Sequence, residues 1–127
     1  MKKVTISSSL KFKEMIKSAI VRFRVVGVKA LFPNLDTGVA KEDITIDFMK
    51  KLEKEHFDAI DSSDALYVIC PDGYVGTSVS IEIGYAHAHR KPIIYSEKPN
   101  DLGLQALTFS IISVTELNKV KYLSFKK

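Results

Sequence analysis

Two rhythms alternate along this chain. Short runs of apolar or β-branched residues at 4–7, 28–32, 64–70, 92–95 and 109–114 predict strands. Between them apolar residues return every three or four positions. Phe12, Met15, Ile16, Ala19, Ile20 and Phe23 predict a core-facing helix over 10–25, stopped at Gly27. Pro33, Asn34, Asp36 and Gly38 then form a loop. Ile44, Phe48, Leu52, His56 or Phe57, and Ile60 predict a longer helix over 41–62. Val79, Ile83 and Ala86 set the apolar stripe of a third over 78–89, ended by Arg90-Lys91. A short helix over 100–107 and a closing helix over 115–125, capped by Thr115, complete the series.

Strands and helices alternate without a repeat or linker, so residues 1–127 read as a single domain. That alternation predicts an α/β fold, a three-layer α/β/α sandwich whose parallel sheet is covered on both faces through right-handed crossovers. With five strands the flavodoxin-like order 2-1-3-4-5 follows as the expectation. Its switch point lies between the first and third strands, and open sheets of this kind bind ligands at the carboxyl ends of the strands there. The loops at those two ends carry Ser7-Ser8-Ser9 and Gly73-Tyr74-Val75-Gly76-Thr77-Ser78, and would face one another.

Gly73 and Gly76 permit positive φ and close approach to a ligand, and Thr77 and Ser78 are residue types that cap helices. Exposed amides, two hydroxyls and a helix N-terminus would converge on phosphate or a sugar oxygen. A tight Gly/Ser turn explains the same residues. Ser7, Ser8 and Ser9 read either as ligand contacts or as a cap for the first helix, and Lys11 either adds charge to the pocket or stays solvated. Glu82 reads either as an ordinary solvated helix residue or as a site residue; a capping role is awkward, because a capping box would need Val79 as the cap, and valine caps poorly. On a helical wheel it lies beside the apolar stripe, where a carboxylate can be partly desolvated and still reach a ligand at the helix start.

Composition changes this picture only modestly. A net charge of +4 and a pI near 9.1 favour anionic ligands, yet the lysines are scattered with no aromatic-basic stripe, so nucleic acid is not an expected partner. No signal-peptide layout follows Met1 and no apolar run approaches the ~18 residues needed to span a bilayer, so a soluble, cytoplasmic protein without a membrane partner is expected. The single cysteine, Cys70, allows no internal disulfide and reads as a buried thiol. His87 and His89 lie two apart on a helix and point to different sides, which argues against a metal pair, and no organic cofactor is implied.

Several segments together resemble a known superfamily: the strand and small-residue loop 4–9, Gly27-Val28-Lys29-Ala30-Leu31-Phe32-Pro33, His56-Phe57-Asp58-Ala59-Ile60-Asp61-Ser62-Ser63-Asp64-Ala65-Leu66, Glu82-Ile83-Gly84-Tyr85-Ala86 and Arg90-Lys91-Pro92-Ile93. The chain is similar in these to the nucleoside 2-deoxyribosyltransferases and the 2′-deoxynucleoside 5′-phosphate N-hydrolases. The resemblance implies that Glu82 attacks C1′ of a sugar, displacing the base and leaving a glycosyl ester that water or a second base resolves. It implies phosphate contacts from Ser9, Lys11, Gly76, Thr77 and Ser78, and a homodimer or higher homo-oligomer, for which 104–114 is apolar enough. Two positions depart from the pattern. His56 stands eight residues before Asp64, where an aspartate helper is expected, and Thr5 stands where a tyrosine is common. His56 then reads either as an acid or base or as a partly buried helix residue, Asp58 and Asp61 as candidates for proton transfer, and Asp72 as another or simply a turn residue.

The expectation is an enzyme of the N-glycosidic bond with a nucleoside or nucleotide as its small-molecule partner. The alternative is a non-catalytic nucleotide-binding module with the same pocket, or, more remotely, a scaffold that binds protein through exposed Tyr and Phe.

Overall fold

The computed structural model describes residues 1–33 and 43–122, the last two in backbone only. Most of the expected loop after Pro33, the first two residues of the expected second helix and the end of the expected closing helix lie outside those residues. Five strands, β1 (Lys3–Ser7), β2 (Lys29–Leu31), β3 (Ala65–Val68), β4 (Ile93–Tyr95) and β5 (Ser110–Ile111), form one parallel sheet in the order β2-β1-β3-β4-β5. The helices are α1 (Lys13–Val25), α2 (Ile46–Asp61), α3 (Thr77–Ala88) and the single turn α4 (Leu102–Gln105). The expected architecture and strand order are those observed.

Side chains alternate across each strand, and here the two faces carry different chemistry. Val4 and Ile6 of β1, with Ala65 and Tyr67 of β3, pack against Ile16, Ala19 and Phe23 of α1 and Leu117 and Val120 of the C-terminal segment. Leu66 and Val68 of β3 pack on the other face against Ile60 of α2 and Val79, Ile83 and Ala86 of α3. On that second face β1 presents Thr5 and Ser7 instead of hydrocarbon, both fully buried. Thr5 Oγ1 meets Ser63 Oγ at 2.7 Å. Asp64 fixes the register beside them, its carboxylate accepting from the amides of Lys2 at 2.8 Å and Lys3 at 3.0 Å.

Several boundaries differ from the periodicity. The first helix opens with a 3-10 turn, Leu10–Phe12, whose first turn is capped by Ser9 accepting from Lys11 N. Thr45 caps α2 by accepting from Phe48 N, so that helix starts at Ile46 rather than 41. The closing helix is a 3-10 segment, Val114–Tyr122, kinked at Glu116. The apolar segment 104–114 divides its faces: Ile112 and Val114 are buried in the core, while Phe109 and Ile111 are exposed. Cys70 is buried as expected, its thiol directed at the carbonyl of Glu97.

After β3 a 3-10 turn, Pro71–Gly73, leads toward α3, with Gly73 at φ +76°. A Cβ there would crowd the Asn100 carboxamide and sit 2.9 Å from the Lys98 carbonyl oxygen. Positive φ and lack of space coincide, so Gly73→Ala is expected to destabilise the fold by about 2 kcal/mol in denaturant titration. An unchanged midpoint would contradict this reading of the turn.

Candidate active site at the switch point

The polar lane on β1 ends at Ser7, and there α3 brings in Glu82. Ser7 Oγ donates to Glu82 Oε1, across the boundary between neighbouring strands β1 and β3. Glu82 is only 4% exposed although it is a helix glutamate. From α2 the third partner arrives: His56 Nε2 lies 3.6 Å from the same Oε1. The imidazole stands edge-on to Phe32, with centroids 5.5 Å apart, and is 8% exposed. Met49, Leu52, Glu53 and His56 occupy positions i, i+3, i+4 and i+7 of α2, one face of a helix, and all four line the same cleft.

Burial dominates the electrostatics. It pushes the Glu82 carboxyl up to about 8, and a hydrogen bond and charge from Glu53 act in the same direction against the opposing Ser7 hydroxyl. Burial also lowers His56, against weaker upward effects from Glu53, the Ile6 backbone and Glu55. Both shifts favour the uncharged forms, so Glu82 and His56 stand as a neutral acid facing a neutral base rather than as an ion pair. His56 Nε2 is buried and has no hydrogen-bond partner among the described residues.

The cleft encloses about 390 Å³, within the ~300–1,000 Å³ of small-molecule sites. Phe32, Pro33, Met49 and Leu52 make an apolar wall, and Ser8, Ser9, Gly76, Thr77 and Ser78 make a polar one. Glu82, His56 and Glu53 meet both. At the rim, Lys11 Nζ rests 3.7 Å from the centroid of the Tyr74 ring, which also lines the cleft and stands edge-on to Phe12.

The expected residues divide accordingly. Ser8, Ser9, Gly76, Thr77, Ser78, Glu82 and His56 converge on one cavity. Ser7 is fully buried and engaged with Glu82, which makes it a support for that carboxyl rather than a surface for phosphate. Gly73 packs against Asn100 and shapes the turn without lining the cleft. Thr77 and Ser78 do not cap α3: Gly76 holds the N-cap position, with no side-chain hydrogen bond. Asp58 is exposed and bound to Lys54 at 2.7 Å, and Asp61 accepts from the Tyr85 hydroxyl, so both stand away from Glu82. Asp72, at φ +58°, is a turn residue outside the cleft. Sequence reasoning overlooked Glu53. Its signal was available, a charge inside the apolar spacing 49-52-56. Among the described residues no group of three or more His, Cys, Asp or Glu is arranged to hold a metal ion.

The folded pKa of Glu82 lies above its ordinary value of 4.5. Its burial therefore supports folding fully below pH 4.5, and that support is lost as pH rises through about 8. Glu82→Gln keeps the shape and cannot ionise. Between about pH 5 and about pH 9 the stability of the wild type relative to this variant is expected to fall by about 4 kcal/mol, at ~1.4 kcal/mol per pKa unit. A difference that stays constant with pH in thermal unfolding would contradict a buried neutral Glu82.

No protein-family model and no curated protein matches the chain. Solved structures do. The 2-deoxyribosyltransferase of Bacillus psychrosaccharolyticus superposes with a TM-score of 0.75 at 17% identity, covering 97% of this chain and 93% of that one. The CMP N-glycosidase of Clostridium botulinum gives 0.61 at 24% identity, covering 96% and 100%. A conserved protein from Enterococcus faecalis V583 gives 0.69 at 14% identity, covering 97% and 99%. Nearly the whole chain shares its fold with these proteins, and two of the three are an enzyme of nucleoside 2-deoxyribosyl transfer and a CMP N-glycosidase.

Proposed function

We propose that this protein breaks the N-glycosidic bond of a nucleoside or nucleotide, with Glu82 bonding C1′ of the sugar. The observation that carries the proposal is a carboxyl buried at the switch point, held by Ser7 and facing a cleft of nucleotide size. A displacement at an oxocarbenium-like carbon needs a fixed carboxylate nucleophile, and desolvation makes that carboxylate more reactive once it is ionised. The fold shared with a 2-deoxyribosyltransferase and a CMP N-glycosidase supports the same reading. His56 serves as a positioning residue: its uncharged ring lies 3.6 Å from Oε1 and confines the Glu82 carboxyl from the α2 side.

The chemistry of the two walls supports one orientation of the ligand. The base lies against Phe32, Met49 and Leu52, and a 5′-phosphate sits at the start of α3, where Gly76, Thr77 and Ser78 offer amides not engaged by a capping side chain. Ser8 and Ser9 close the phosphate site from β1. Lys11, parked on Tyr74 at the rim, supplies positive charge at the entrance. The reaction type is that of a deoxyribosyltransferase or a deoxynucleoside 5′-monophosphate N-hydrolase.

Incubation with deoxynucleosides and their 5′-monophosphates, followed by chromatography of the free base, tests this directly. Wild type is expected to release base, preferentially from a monophosphate, and Glu82→Ala to lose more than about a thousandfold. A stable nucleotide complex with no release would point instead to a non-catalytic binding module. Lys11→Ala is expected to raise KM for the monophosphate about fivefold, the worth of about 1 kcal/mol for an exposed charge, and to leave the nucleoside KM unchanged. Equal effects on both substrates would remove Lys11 from phosphate recognition.

A further inference from the structure

Attack by Glu82 requires its carboxylate form, yet its surroundings favour the acid. One proton must leave Glu82 before the sugar bond can form, and the departing base needs one proton as the bond to it breaks. Two titratable groups face Glu82: His56 at 3.6 Å, and Glu53, which lines the same cleft and acts to raise the Glu82 carboxyl. Both come from the cleft face of α2, one turn apart. His56 is enclosed by Phe32 and the Ile6 backbone, where an imidazolium is disfavoured. Glu53 is only half-buried, lies on the cleft wall, and has no Lys or Arg partner among the described residues. A second carboxyl beside it disfavours the ionised form of Glu82, which is the direction of its shift.

We infer that Glu53 receives the proton that Glu82 gives up and delivers it to the departing base, a catalytic role resting on the N-glycosidic reading above. One transfer then prepares both partners, leaving Glu82 as nucleophile and Glu53 as acid. Glu82 oxygen bonds C1′, the C1′–N bond breaks, and its electron pair takes the Glu53 proton on the base nitrogen. In the second half Glu53, now a carboxylate, removes a proton from water or from the N–H of an incoming base. The oxygen or nitrogen so exposed bonds C1′, and Glu82 leaves as carboxylate. Position i+4 of the 49-52-53-56 face thus does the work for which the helix elsewhere offers only a hindered imidazole.

Glu53→Gln keeps the size of the side chain and removes its titration. With an ordinary nucleotide this variant is expected to lose about 10²–10³-fold in kcat/KM and the pH dependence that belongs to the acid. With a 7-methylated purine, whose leaving base already carries positive charge, the loss is expected to fall below about tenfold, because no proton is needed. Carbon-13 carboxyl titration of the free protein should show Glu82 ionising at lower pH in Glu53→Gln than in wild type, a readout independent of turnover. Equal losses on both substrates, an unchanged pH profile, or an unchanged Glu82 titration would overturn the role of Glu53. Absence of base release by wild type from any substrate would instead overturn the N-glycosidic reading itself.

Discussion

Glu82 holds its carboxyl where water barely reaches, against one hydroxyl and one ring nitrogen, and most of the site follows from the cost of placing it there. An isolated carboxylate in such surroundings is heavily penalised, so the group rests as an acid unless a partner takes its proton. The Ser7 hydroxyl offsets part of that penalty and fixes the orientation. A solvated glutamate would ionise freely and spread over many rotamers. The buried one ionises with difficulty and is held in one direction.

That environment is produced by ordinary secondary-structure geometry. Alternation along β1 places Val4 and Ile6 in one core and Thr5 and Ser7 on the opposite face, so the polar lane exists because the strand has a period of two. The strand order puts β3 beside β1 and therefore brings α3 over the end of that lane. Spacing on α2 adds His56 and Glu53 from the other side, with Met49 and Leu52 supplying the apolar wall. Three elements distant in sequence contribute these side chains, and none of them needs an unusual backbone to do so. Near the site, left-handed backbone falls in the turn before α3, at Asp72 and Gly73; among the described residues Gly27 and Arg90 also adopt it, at the ends of α1 and α3.

Periods and turn residues made the sheet order, the switch point and the placement of Glu82 legible in the sequence. Val79 is a poor cap for a box that would use Glu82, and a glutamate beside an apolar stripe was expected at the border of core and cleft, where it lies. Glu53 escaped because a charged residue on a Lys- and Glu-rich helix looks solvated until the facing strand is known to carry serine in place of hydrocarbon. Asp58 misled for the opposite reason: it lies close to His56 in sequence but two positions on, which turns it to the solvent side, where Lys54 holds it. Thr77 and Ser78 were expected as caps by residue type, but β3 delivers the chain so that Gly76 takes the cap position. Their hydroxyls remain on the cleft wall.

The proposed covalent bond between Glu82 and the sugar is open to acid-quenched turnover read by mass spectrometry. The protein should gain the mass of the sugar or sugar phosphate on the peptide that contains Glu82, and Glu82→Gln should gain none. Base release with no adduct under rapid quench, or an adduct mapped to another residue, would contradict it.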